Sequence, residues 1–140
     1  MRALAALARK LRYPALATVP VSAAMLHRVE TVTPDQTLAD AAQLCARGNL
    51  HVPVVDRGRA LGVVTREALA HALAESGPGA TIAMAEQRRV LTVPPSASAT
   101  EVLEHLRAHP DAVALVVDHG SPVGLLTVEQ LEDYLDRAAS

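Results

Sequence analysis

The segment Pro53-Val54-Val55-Asp56 is followed, after a short turn, by Leu61-Gly62-Val63-Val64-Thr65. The same pattern returns 62 residues later in this 140-residue chain, as Leu115-Val116-Val117-Asp118 and Val123-Gly124-Leu125-Leu126-Thr127. These apolar runs are too continuous for strands with one exposed face, and they are typical of strands buried on both faces. The duplication predicts two copies of one structural unit that pack against each other.

Each copy shows the same order of elements around these strands. Short extended pieces at 29–33 and 90–93 come first. A helix follows in each copy, and Thr37 with Asp40, or Ser98 with Glu101, forms the capping-box pattern at its start. The unit is β-α-β-β-α, and its duplication predicts an α/β (α+β) fold of two repeats about a pseudo-twofold axis. The remaining strands are predicted at 52–55, 60–64, 112–117 and 123–126, and the final helices at 66 to about 74 and 128 to about 137.

Charge and turn residues divide the chain further. Residues 1–20 form a basic N-terminal helix or connector with four cations and no acid, whereas the last predicted helix is acidic. The basic segment is a solvated face, a connector to an upstream domain, or a piece that docks on the acidic helix, on a second chain or on an anionic membrane surface. The predicted divisions after it are repeat 1 at 21–74, a linker at 75–79, repeat 2 at 80–137 and a tail at 138–140.

Composition excludes several classes of protein. Half of the residues are apolar and the net charge is -2, but Tyr13 and Tyr134 are the only aromatic residues. The chain therefore lacks the aromatic platform on which single-stranded nucleic acids stack. Since no run of 18 apolar residues exists, we expect no membrane span. The one cysteine, Cys45, excludes a disulfide framework, is expected in the core, and fits a cytoplasmic location.

The ordered set of motifs, present twice, resembles a tandem pair of cystathionine-β-synthase (CBS) domains, often called a Bateman module. The resemblance covers residues 21–74 and 80–137. It implies a regulatory module that is not an enzyme, in which two repeats pack sheet against sheet and form two clefts. Such clefts bind adenosine compounds such as AMP, ATP or S-adenosylmethionine, and binding alters an attached or partner protein. We also expect a homodimer.

The end of the chain, from Gly124 to Leu135, is similar to the end of CBS pairs attached to site-2-protease-like membrane metallopeptidases. Those enzymes carry His-Glu-x-x-His within membrane helices, and this sequence has neither that motif nor such a helix. The similarity implies a regulatory fragment or a free-standing relative, and not a protease.

Nucleotide-binding members of the family show Gly-x-x-Thr/Ser-x-x-Asp where the last strand of a repeat meets its last helix. The hydroxyl lies beside a helix N-terminus, which favours phosphate, and the Asp accepts hydrogen bonds from the ribose. Thr65 and Thr127 match the hydroxyl position, but Ala68 and Gln130 stand at the Asp position. Gln130 can bond a ribose hydroxyl without charge assistance, and Ala68 cannot. Both threonines equally suit simple helix capping.

Three further residues join the candidate ligand-binding set. His51 lies two residues before Pro53, where some relatives place a basic residue that meets phosphate, although a histidine at a strand edge is the plainer interpretation. Val32 and Val93 come from the first extended piece of each repeat.

Cations concentrate around repeat 1. Arg66, the next candidate ligand-binding residue, follows Thr65, and together with Arg57 and Arg59 it makes the repeat 1 cleft the better anion site. Arg88 and Arg89 precede the first strand of repeat 2, either as a solvated pair or as groups that reach across the cleft.

Two rivals compete with this interpretation. His105 and His109 lie on one face of a predicted helix and can begin a zinc site, but no third ligand is evident. We therefore predict no metal site and no catalytic residue. The second rival is a ligand-independent module that uses the same fold for dimerisation or protein interaction.

Overall fold

The computed structural model describes residues 19–24, 26–27 and 29–139. Residues 1–18 lie outside this range, and with them most of the predicted basic segment. The described part is mixed α+β. Its elements in chain order are α1 (Val21–Ala24), β1 (Leu26–His27), α2 (Leu38–Ala46), β2 (Val52–Asp56), β3 (Arg59–Val64), α3 (Arg66–Ser76), a 3-10 turn (Ile82–Met84), β4 (Arg89–Val93), α4 (Ala99–Ala108), β5 (Ala112–Asp118), β6 (Ser121–Leu126) and α5 (Val128–Ala139).

Two sheets carry the duplicated strands. One sheet has four strands in the order β1-β6-β5-β4, and the other consists of β2 and β3. Each hairpin has a bulge at the same place, between Val54 and Val55 or between Val116 and Val117. Each hairpin turn holds two successive residues with positive φ, Arg57 and Gly58 or His119 and Gly120. This backbone matches the right-handed twist of the flanking strands, and its recurrence confirms that one unit is built twice.

The segment that begins each repeat packs against the other repeat. Val21 is buried in the core formed by α4, α5 and β5, whereas Ile82 is buried in the core formed by α2, α3 and β2. The Val21 N–H donates to the Ala97 carbonyl at 2.8 Å, and the Ile82 N–H donates to the Gln36 carbonyl at 2.8 Å. Both bonds are related by a shift of 61 residues in the sequence, so the exchange follows the pseudo-twofold relation.

The sheets exchange backbone pairing in the same way. Leu26 pairs with Leu125 of repeat 2, and Arg88 pairs with Val63 of repeat 1. A Cβ atom at Gly62 would lie 2.7 Å from Gln87 Oε1, so glycine lets residues 87–88, called here the crossing segment, approach β3 closely. Between the two sheets, a third apolar cluster joins the repeats; its buried members are Val63, Val113, Leu115 and Leu125.

The leading extended piece forms a full strand only in repeat 2. There β4 pairs with β5 over five residues, whereas the predicted strand at 29–33 is reduced to one bridge between Val32 and Val54. The Val55 N–H donates to the Val32 carbonyl at 2.8 Å. Since N–H groups of alternate residues face the same neighbour, residue 53 should also donate towards this piece, but Pro53 has no N–H. Leu115 holds the equivalent place in repeat 2.

A buried side chain replaces the missing backbone pairing. Asn49 is 6% exposed. Its Nδ2 donates to the Glu30 carbonyl at 2.8 Å and to the His51 carbonyl at 3.2 Å, and its Oδ1 accepts from the Glu30 N–H at 3.4 Å. The side chain of Asn49 thus fixes the piece that Pro53 cannot hold.

Helix ends agree closely with the sequence signals. Both bonds of the Thr37–Asp40 capping box are present at the start of α2. At its end Gly48 has φ 119°, and the Asn49 N–H bonds the Leu44 carbonyl at 3.0 Å, as in a Schellman motif. The last helices run longer than predicted, so residues 75–76 and 138–139 are helical. None of the helices in the described part of the chain is long and apolar enough to cross a membrane.

Candidate functional site

The two predicted threonines occupy equivalent places at the strand-to-helix junctions. Thr65 Oγ1 accepts from the Ala68 N–H at 3.1 Å, and Thr127 Oγ1 accepts from the Gln130 N–H at 3.2 Å. Both residues are buried, with 5% and 7% of their surface exposed. Each hydroxyl caps its helix, and the predicted capping role is therefore confirmed; a ligand contact made in addition stays a prediction.

Gln130 forms a second hydrogen bond that we did not predict. Its Oε1 accepts from the Thr127 N–H at 2.9 Å, which completes a capping box at the start of α5. The side-chain oxygen of Gln130 therefore serves the backbone of its own helix. The Thr-x-x-Gln pattern was the available signal for this arrangement. In repeat 1 the methyl group of Ala68 cannot make the corresponding bond.

His51 lies where the two repeats meet. Its Nδ1 accepts from the Arg66 N–H at 3.2 Å, so the side chain contributes to the cap of α3. Burial lowers the pKa of His51, and the charges of Arg88 and Arg66 lower it further, while Glu67 and Glu129 oppose them. Since Glu67 belongs to repeat 1 and Glu129 to repeat 2, both helix N-termini lie within electrostatic range of this imidazole. The neutral imidazole offers a ligand one N–H and no full charge.

Arg66 points its guanidinium at the C-terminal end of α2. Nη2 donates to the Cys45 carbonyl at 3.2 Å and to the Asn49 carbonyl at 3.0 Å. These oxygens belong to the end of a helix, where backbone acceptors lack helical partners. Cys45 itself is half-buried against the repeat 1 core, and burial raises the pKa of its thiol. Arg66 therefore ties α2 to α3, and its contribution to ligand binding stays a prediction.

Arg88, one of the two arginines named from the sequence as able to reach across the cleft, lies near this junction. Its backbone pairs with Val63, two residues before Thr65, through bonds of 2.8 and 3.0 Å. The positive charge of Arg88 lowers the pKa values of both His51 and Glu67. The pKa of Glu67 is lowered chiefly by its own backbone N–H, with smaller contributions from His51, the Thr65 hydroxyl and Arg88. The crossing segment thus brings a repeat 2 cation to the helix N-terminus of repeat 1.

The other candidate residues are two core valines and two arginines at the turn before β3. Val32 and Val93 belong to the cores of repeats 1 and 2, with 2% and 9% of their surface exposed. Any contact of these two valines with a ligand would therefore involve their backbone. Arg57 lies in the turn before β3, and Arg59 is the first residue of this six-residue strand. Thr65 follows the other end of β3, about 20 Å away. Arg57 and Arg59 therefore serve a different surface.

The two histidines considered as the start of a zinc site lie at the end of α4. His105 and His109 both lie in or beside the last turn of α4. Within the described residues, no group of three or more His, Cys, Asp or Glu side chains could hold a metal ion.

Solved structures share this architecture. The CBS domain of a CBS-domain-containing membrane protein from Sphaerobacter thermophilus is 25% identical, with a TM-score of 0.70 over 89% of this chain and 93% of that one. The CBS domain of a bacterial CNNM/CorC family Mg2+ transporter, solved with ATP, is 24% identical, with a TM-score of 0.70 over 91% and 94%. The CBS domain pair of protein MJ0100, solved with 5'-methylthioadenosine and S-adenosyl-L-methionine, is 22% identical, with a TM-score of 0.67 over 86% and 98%.

The family assignment follows from the sequence as well as the fold. No curated protein matches the sequence. The model of the CBS domain matches it twice, at residues 21–75 and 84–137, in agreement with the two structural repeats. This chain belongs to the CBS-domain family and contains a tandem CBS pair.

Proposed function

We propose that this chain is a regulatory CBS pair that binds an adenosine-containing ligand where the repeats meet and thereby controls an attached or partner protein. The observation that carries the proposal is that Arg88 pairs with Val63, two residues before Thr65, while His51 bonds the N-terminus of the helix that Thr65 caps. The groups come from both repeats, so a ligand held there would change how the repeats fit together. We further propose that the pair acts in the cytoplasm.

The chemistry of this junction suits a phosphate group. A helix N-terminus presents backbone N–H groups and a partial positive charge, and Arg88 adds a full charge. Glu67 partly offsets that charge, since Arg88 lies close enough to lower the pKa of Glu67. AMP, ATP and S-adenosylmethionine are the candidate ligands, and the fold holds adenosine compounds in the transporter domain and in MJ0100.

The missing ribose carboxylate weakens the expected affinity. Ala68 offers no polar atom, and the Oε1 of Gln130 already accepts from the Thr127 N–H. Loss of one charge-assisted hydrogen bond costs about 1.5–3 kcal/mol, or roughly one to two decades in affinity. We expect binding that is saturable but weaker than in a relative with Asp at these positions.

A ligand-independent interaction module is the second candidate. Two side chains that were expected to contact a ligand instead bond backbone atoms of this chain, and this favours the second candidate. Gln130 completes a capping box, and the Arg66 guanidinium bonds carbonyls of α2. In this case the pair serves to dimerise or to dock a partner.

Thermal unfolding with AMP, ATP and S-adenosylmethionine, together with sedimentation velocity, separates the two candidates. The regulatory proposal predicts a rise in the unfolding temperature with at least one ligand, because a ligand that binds only the folded state stabilises it. No rise with any of the three, together with a concentration-dependent dimer, would favour the interaction module. A monomer that none of these ligands stabilises would contradict both.

A further inference from the structure

An open cavity of about 300 Å³ lies between the two hairpin turns. It is at the opposite end of the strands from Thr65 and Thr127, neither of which lines it. Its wall includes Gly58 of one turn and Gly120 of the other. Its volume is at the lower end of the range for small-molecule sites, about 300–1,000 Å³. The cavity is therefore separate from the strand-to-helix junctions, and a ligand bound in it is independent of the proposed function.

The lining is built from equivalent positions of the two repeats. Three pairs, each 62 residues apart, contribute to it: Val55 with Val117, Gly58 with Gly120, and Ala60 with Pro122. A bulge begins at Val55 and at Val117, and each turn holds two residues with positive φ. Because bulges and these turns fix the course of the backbone, the cavity is held in place by both hairpins.

The charges of the lining are not symmetric. Arg59 of repeat 1 lines the cavity and is the one charged residue in the described part of its lining, and its equivalent in repeat 2 is the uncharged Ser121. Val55 and Val117, which are half-buried, supply aliphatic walls, and Thr92 also lines the cavity. Leu115 lies at the cavity but is fully buried. Among the described residues that line the cavity, none is acidic. An apolar wall with one cation at one side suits an amphipathic organic anion.

We propose that this cavity binds a monocarboxylate with a short aliphatic chain. The carboxylate pairs with Arg59, and the chain lies against Val55 and Val117. Asp56 and Asp118 flank the turns without lining the cavity, and Asp118 Oδ1 lies 2.8 Å from His119 Nδ1. The single cation sets the orientation of the ligand, with its charged end towards repeat 1.

Octanoate is the probe for this proposal, titrated into the full chain while the methyl resonances of Val55 and Val117 are followed by NMR. We expect saturable shifts at these methyl groups and not at Leu131 of the α5 core. Arg59→Gln should weaken binding about tenfold or more, since it removes a charge-assisted contact. Arg57→Asn is the matched control, because it removes a cation from the same turn and asparagine tolerates positive φ. Its affinity should stay within about twofold of wild type.

Ala60→Leu tests the cavity independently of charge. The larger side chain should fill the space and abolish the shifts, while an unchanged NMR spectrum elsewhere shows that the fold is kept. Absence of saturable shifts in the wild-type protein would overturn the proposal. So would an equal loss of affinity in Arg57→Asn and Arg59→Gln, or full binding by a folded Ala60→Leu variant.

Discussion

Thr127 and Gln130 bond each other twice at the start of α5: the Gln130 N–H donates to Thr127 Oγ1 at 3.2 Å, and the Thr127 N–H donates to Gln130 Oε1 at 2.9 Å. In repeat 1, Thr65 makes only the first of these bonds, with the Ala68 N–H. The position at which the family resemblance implies a ribose-binding Asp is therefore used for helix capping in one repeat and left apolar in the other.

Removal of the Gln130 side-chain amide should destabilise the protein. Gln130→Ala loses one half of the capping box, and we expect the free energy of unfolding to fall by about 0.5–1 kcal/mol. Gln130→Glu is the matched control, because a carboxylate oxygen can accept from the Thr127 N–H in the same way. Urea denaturation measures both variants. An alanine variant as stable as wild type would show that the bond contributes nothing.

An acidic residue at position 68 should restore the missing ribose contact. We expect Ala68→Asp to raise the affinity for AMP about tenfold, since a carboxylate there can accept charge-assisted hydrogen bonds. Ala68→Asn has the same shape without the charge and should raise it less. Calorimetric titration compares the two variants. Equal affinities of the Asp and Asn variants would mean that this position does not face the ribose.

Ile82 should stabilise the repeat that precedes it in sequence. The side chain is fully buried in the repeat 1 core, so Ile82→Ala should cost about 2–5 kcal/mol. Met84→Ala in the same turn is the control, because Met84 is 64% exposed and its loss should cost less than about 0.5 kcal/mol. Hydrogen exchange should show faster opening of α2 and β2 in the Ile82 variant. A loss confined to repeat 2 would contradict the exchange of leading segments.

His51 should make stability depend on pH. Its pKa is lower in the folded protein, chiefly because of burial, than the ordinary value of about 6.5 in an unfolded chain. As the pH falls below about 6.5, the unfolded state takes up the proton first, so the free energy of unfolding decreases until the folded-state pKa is passed. Protonation of Nδ1 also removes the acceptor of the Arg66 N–H.

His51→Asn isolates this contribution, since Asn Oδ1 can still accept from the Arg66 N–H but does not titrate. We expect wild type and variant to show the same change in stability between pH 8 and pH 7. Wild type should lose more stability than the variant between pH 6.5 and pH 5. Parallel curves over the whole range would show that His51 does not titrate differently on folding.

Local patterns in the sequence predicted much of the fold. The continuous apolar runs predicted the hairpins, and the Thr37–Asp40 spacing predicted the start of α2, because both signals act between residues close in the chain. The extended piece predicted at 29–33 is present, but its pairing is limited to one bridge between Val32 and Val54. The pairing stops there because the backbone N–H that would face this piece belongs to residue 53, and proline has none. The hydrophobic pattern does not show which neighbour an N–H group faces.

The features that the sequence did not predict depend on contacts between segments that are distant in the chain. The docking of Val21 and Ile82 in the opposite repeat depends on tertiary packing, and nothing in their immediate neighbours signals it. Arg66 looked like a cleft cation because it follows Thr65, but the carbonyl oxygens that it bonds lie at the end of another helix. Arg88 comes near Glu67 and His51 because its backbone pairs with Val63 of β3. The sequence does not show which residue of the crossing segment pairs with Val63.

Isothermal titration calorimetry of the full chain with AMP, in wild type, Arg88→Gln and Arg89→Gln, tests whether a nucleotide binds at the junction of the two repeats. The neighbouring arginine is the matched control, because both substitutions remove one exposed cation from the same segment. We predict saturable binding that weakens about tenfold in Arg88→Gln and changes little in Arg89→Gln. An absence of binding in wild type, or an equal effect of the two substitutions, would contradict a nucleotide site at this junction.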